Sequence, residues 1–161
     1  MHSQIEALFD EAENRYLKPE ELGLLNQYVN SIPARMTVYQ ALRDRELEIM
    51  QPVADQLQAA LPQESLEALE RAVKNGLLAL RYCAMAMLLN DEKLVGDRLS
   101  GWLGGTMSLY NNPTINGVLY SLMQQRLTEV LGAQAMSLLA PHLQTAQAVM
   151  NSLSPQASSA S

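Results

Sequence analysis

Apolar residues recur at spacings of three and four along almost the whole chain, and no run shows the apolar-polar alternation of a strand. The clearest stripe runs through Leu66, Leu69, Val73, Leu77, Leu80, Ala84 and Met87, predicting one long central helix from about Gln63 to Asn90. A second stripe on that helix holds only small residues, Ala72, Gly76, Ala79, Cys83 and Ala86, so a neighbouring helix can approach it closely. From Leu77 onward the polar back closes over, leaving Arg81 and Tyr82 as the only strongly polar side chains. A helix apolar nearly all round is expected to be buried, and a guanidinium in it must then be compensated. Arg81 is therefore expected to be a buried, paired charge.

The remaining pattern divides at caps and breakers. Ser3-Gln4-Ile5-Glu6 has the form of a capping box opening a first helix to about Asn14, whose stripe of Ile5, Leu8, Phe9 and Ala12 is short for a helix standing alone. Pro19 followed by Glu20 and Glu21 starts a second, with Leu22, Leu25, Val29 and Ile32 inward. Pro33 predicts a kink or a fresh start, with a third helix over Ala34 to Met50. Pro52 opens or kinks the next segment (Val53, Leu57, Leu61) and Pro62 ends it. Beyond the central helix, Val95, Leu99, Trp102 and Leu103 mark one helix, and Ile115 to Val130 another between Asn112-Pro113 and Gly132. Pro141 predicts a break or kink before a last helix from about His142 to Leu153. The class is all-α, seven or eight helices packed as a globin-like array or a bundle, with one domain over residues 1–153 and a polar, disordered tail over 154–161.

Composition narrows the function. A net charge of −6 gives no concentrated cationic face, which argues against nucleic acid as a partner. Arg81 divides the best candidate for a membrane span, so no membrane insertion is expected. The start of the chain lacks a signal-peptide pattern and Cys83 has no second cysteine, which together point to the cytoplasm. His2 and His142 stand at opposite ends, with no metal-ligand spacing. Cys83 has apolar neighbours and no nearby histidine, and reads as an inert core thiol. The glycines after Trp102 follow a helix instead of preceding one, so they form no phosphate cradle. No metal and no enzymatic site is visible. The interleaved run Arg43-Asp44-Arg45-Glu46-Leu47-Glu48 reads as a solvated face. Two constellations stay open between an internal ion pair and a ligand or partner site: Arg81 with Tyr82, and Asp97-Arg98 with Trp102.

Leu80-Arg81-Tyr82-Cys83-Ala84-Met85-Ala86 resembles the Leu-Arg-Tyr-Val-Thr-Tyr-Ala run of phycobiliproteins, the antenna proteins of the phycobilisome. Asp91 to Arg98 is similar to the loop and Asp-Arg pair that follow it in that family, and Arg15-Tyr16-Leu17-Lys18 to the Arg-Phe-Leu-Ser joining the first two helices. The resemblance implies a globin-like fold preceded by an N-terminal helical hairpin that docks onto a partner, either a second copy or a related phycobilisome subunit. Ile5, Phe9, Glu13 and Arg15 of the hairpin, with Arg81 and Asp97, are the implied interface residues. Glu13 is the implied acid for Arg81 across that interface, and Asp97 its competitor within the chain. Pigmented relatives carry Cys-Ala-Arg-Asp where this chain has Ala72-Val73-Lys74-Asn75, so no covalent bilin is expected. The resulting expectation is an accessory protein acting in assembly, regulation or turnover of the antenna, cytoplasmic and close to the thylakoid surface. The alternative is a carrier holding a bilin or other tetrapyrrole non-covalently, with Lys74, Asn75, Arg81, Tyr82, Trp102 and Tyr110 around it.

Overall fold

The computed structural model describes residues 3–103, of which 102 and 103 by backbone only, and residues 111–152. These form seven helices and, among the described residues, no strand: α1 (Ser3–Ala12), α2 (Pro19–Asp44), α3 (Glu46–Ala60), α4 (Leu66–Leu89), α5 (Leu94–Leu103), α6 (Pro113–Leu131) and α7 (Ala133–Ser152). The tail expected to be disordered lies outside the described residues.

Helix α4 is the hub, packed against α2, α3, α5, α6 and α7. Ser65 caps its start by accepting the Ala68 N–H at 3.2 Å, and Asn90 ends it in the left-handed region at φ 51, letting the Asp91 N–H reach the Ala86 carbonyl at 2.9 Å. All five members of the small-residue stripe are buried. At Gly76 the approach is so close that a Cβ would lie 2.9 Å from Leu119 Cδ2 on α6, which explains why glycine stands there. By length and composition α4 could cross a bilayer, and it is the candidate span that Arg81 divides. Its nine buried residues face neighbouring helices of the same chain.

Of the break or kink expected at each of the three internal prolines, no break occurs. Pro33 lies within the unbroken α2, Pro52 within α3 and Pro141 within α7. The break falls instead at Arg45, between α2 and α3. A proline removes one N–H and so orphans the carbonyl four residues earlier. For Pro52 that carbonyl belongs to Glu48, and Arg126 of α6 donates to it at 3.1 and 3.3 Å. Arg45 likewise donates to the Val130 carbonyl in the last turn of α6 at 3.0 Å while pairing with Glu48 at 2.7 Å. The charged run is thus partly a clamp between α3 and α6, beyond the solvated face expected.

One core cluster gathers buried residues of α2, α3, α4, α5, α6 and α7, centred on Leu80, Cys83, Met87, Leu99, Leu119 and Leu139. Ile5 and Leu8 of α1 are buried outside it. The first half of α2 is not inward as the sequence suggested: Leu22 and Val29 are 52% and 51% exposed. The N-terminal hairpin therefore carries an apolar face that its own chain does not cover.

Candidate functional site

The site is a groove of about 510 Å³ between α2, the start of α3, α4 and α5. Buried Leu42, Leu80 and Ala84 form its floor, with Tyr39, Tyr82 and Leu94 partly covered beside them. Arg43, Arg81, Arg98 and the exposed Met85 stand at the rim.

Arg81 is not the buried charge that the sequence implied. Its side chain is 60% exposed, and its partner is neither Asp97 nor Glu13 but Glu46, which accepts from Arg81 Nε at 2.8 Å and from NH2 at 3.0 Å. The fork-to-carboxylate geometry holds the Glu46 carboxyl below its ordinary range. Arg43 pairs in the same manner with Asp44, at 2.7 Å through Nε. Arg98 has no anionic partner among the described residues, so the groove keeps a cationic rim.

The expected ligand residues do not come together. Tyr82 lines the groove with Arg81, whereas Lys74 and Asn75 lie about two turns earlier on α4, exposed and half-buried, and do not line it. The Trp102 side chain and Tyr110 lie outside the described residues. Among the expected interface residues, Phe9 is 56% exposed and Glu13 is exposed, but Ile5 is buried within the chain and unavailable to a partner. Asp97 is exposed on α5 beside an acidic recess with Glu6, Asp91 and Glu92, away from the Arg81 groove. Arg15 is a hinge pin: it donates to Glu21 at 2.9 and 2.8 Å, and Glu21 also accepts the Lys18 N–H at 2.7 Å. Those bonds hold the Glu21 carboxyl down at about 2 and fix the turn between α1 and α2.

The buried arginine is Arg35, which sequence reasoning missed. It donates to the Leu88 carbonyl at the end of α4 and to Ser31 Oγ, with the Tyr28 ring 5.0 Å from its guanidinium. The signal was legible, since Tyr28, Ser31, Arg35, Val38 and Leu42 recur at spacings of three and four and define the inner line of α2. Cys83 is sealed in the core with its thiol 3.4 Å from the His142 carbonyl, and burial pushes its pKa up to about 12, so it is the inert thiol the sequence suggested. Among the described residues no cluster of histidine, cysteine and carboxylate side chains is arranged to hold a metal.

The described residues thus form an all-helical array with an outward apolar hairpin and a groove beside its central helix. The family model for phycobilisome proteins matches residues 9–150, and the chain belongs to that family. No curated protein matches it. Membership carries a phycobilisome-related role and a fold that assembles with other subunits of its kind.

Proposed function

We propose that this chain is an accessory component of the phycobilisome, without a covalent bilin and without catalysis, that acts in assembly, regulation or turnover of the antenna through protein contacts. It pairs through its N-terminal hairpin with a second copy of itself or a related subunit, in the cytoplasm at the thylakoid surface. The observation that carries this reading is the distribution of exposed apolar side chains. Among the described residues, six of the ten large exposed ones (Phe9, Tyr16, Leu22, Leu24, Val29 and Met36) lie in α1, α2 and the turn between them. Such a concentration marks a surface that is covered in an assembly. Removing the residues before Lys18 is expected to leave a folded, monomeric chain by sedimentation velocity, where the full chain is paired. A full-length chain that stays monomeric at high concentration and recovers no subunit from its host overturns the reading.

A non-covalent tetrapyrrole in the groove is the second reading, favoured by the aromatic and aliphatic lining beneath three guanidinium groups. Arg43 and Arg98 would replace Lys74 and Asn75 as the polar contacts. Ala72, at the position of the family's attachment thiol, supports the absence of a thioether in either case. Absorption of the protein from its native host, with intact mass after denaturation, separates the two: bound colour lost on denaturation supports the carrier, and a mass increment of one bilin that survives denaturation overturns both.

A further inference from the structure

The three prolines inside helices sit in different surroundings. Pro52 has buried Ile49 and Met50 before it and Val53 and Leu57 after it, and Pro141 has Met136 and Leu139 before it and His142, Leu143 and Ala146 after it. Packing on both sides holds those two helices together across the lost bond. Pro33 differs. Every buried residue of α2 (Arg35, Val38 and Leu42) follows it, and nothing from Pro19 to Ile32 is buried. The Val29 carbonyl that its missing N–H orphans receives no side-chain donor among the described residues, unlike the Glu48 carbonyl before Pro52. Ser31 returns its hydroxyl to the Tyr28 carbonyl at 2.6 Å, and Thr37 does the same to the Pro33 carbonyl at 3.0 Å, contacts of a kind that loosen and bend a helix.

Across this weak turn lies Arg35, 3% exposed and, among the described residues, without a carboxylate partner. Its Nε and NH2 donate to Ser31 Oγ at 3.3 and 3.1 Å, and its guanidinium lies 5.0 Å from the centre of the Tyr28 ring, both contacts on the far side of Pro33. Its NH1 donates to the Leu88 carbonyl in the last turn of α4. We propose that Pro33 is a hinge in α2 and that Arg35 is the latch fixing its angle, so that one side chain sets the direction in which the N-terminal hairpin leaves the helical body. A guanidinium suits the task because its planar fork reaches two elements at once and the carbonyls at the end of α4 favour its charge. Beyond the latch, Ile5 and Leu8 are the only buried residues of positions 3–32, so little else resists a swing of the hairpin. The device is internal to one chain and holds whether or not the hairpin pairs with another.

The test is the distance between nitroxide labels at Gln27→Cys on α2 and Gln125→Cys on α6, both exposed, read by pulsed electron paramagnetic resonance in the full chain. Dilution with unlabelled protein restricts the reading to distances within one chain, and Cys83, sealed in the core, takes no label. One narrow distance is expected with Arg35 in place. Arg35→Met, which keeps the stem and removes the fork, is expected to spread it over several distances at an unchanged helix content by circular dichroism. Pro33→Ala combined with Arg35→Met restores the missing amide and is expected to return the narrow distance. A distribution that Arg35→Met does not broaden overturns the latch, and a broadening that Pro33→Ala does not reverse overturns the hinge and the proposal with it. Should Arg35→Met fail to fold, Tyr28→Leu with Ser31→Ala releases the hairpin side alone, leaves Arg35 on Leu88, and is held to the same two outcomes.

Discussion

The two faces of α4 are both apolar, and they end differently. On one, Ala72, Gly76, Ala79, Cys83 and Ala86 let α6 and α7 come close enough to exclude solvent. On the other, Leu80 and Ala84 meet α2 and α5 less completely, and a groove rimmed by arginines stays open. Side-chain size and the span of the neighbouring helix decide the outcome more than hydrophobicity does. Small residues give a sealed interface where a helix lies over them, and Leu80 and Ala84, flanked by charge, leave a groove open.

That contrast can be broken most forcefully on the sealed face. Leu119 is fully buried against Gly76, and Leu119→Ala is expected to cost about 2–5 kcal/mol in denaturant unfolding through lost burial and the cavity left behind. Gly76→Ala pushes a methyl toward Leu119 Cδ2 and should cost about 1–3 kcal/mol. Combined, the two changes should cost less than their sum, because the truncated leucine makes room for the methyl; strict additivity in the double-mutant cycle would show that the contact does not limit packing there.

His142 sharpens the comparison through pH. Burial lowers its pKa from 6.5, with Glu92 and Asp91 opposing part of the shift. A base depressed in the folded state leaves the unfolded chain binding more protons, so stability falls as pH drops from about 6.5 toward the folded value, with a slope of at most about one proton. His142→Gln should flatten that segment of the stability profile, and an unaltered profile would place the proton uptake elsewhere. Smallest is the open face. Arg81→Gln is expected to change unfolding free energy by no more than about 1 kcal/mol, because its partner is a solvent-facing glutamate. A loss of several kcal/mol would mean that Arg81 is a core charge after all.

The helical class, the caps at Pro19, Asn90, Asn112 and Gly132, and the small-residue stripe were legible in the sequence because each is a local signal. The groove was not. Arg81 looked buried because Leu78 and Met85 share its line on the helix, but apolar neighbours do not exclude solvent when no helix lies above them, and Met85 is itself 38% exposed. Its partner Glu46 lies 35 residues away, a pairing that no local spacing encodes. The prolines could not decide between a break and a continuous helix for a similar reason, since a helix continues through one when packing on both sides outweighs a single lost bond.

Pro52 and Arg126 carry a consequence for how this sequence can drift. With proline at 52, the Glu48 carbonyl depends on a donor from a helix far along the chain; with alanine there, the backbone supplies its own, and the arginine becomes optional. The two positions therefore form an epistatic pair. Loss of Arg126 is expected to cost more while position 52 is proline than after it regains its amide, so the order of substitutions matters as well as their identity.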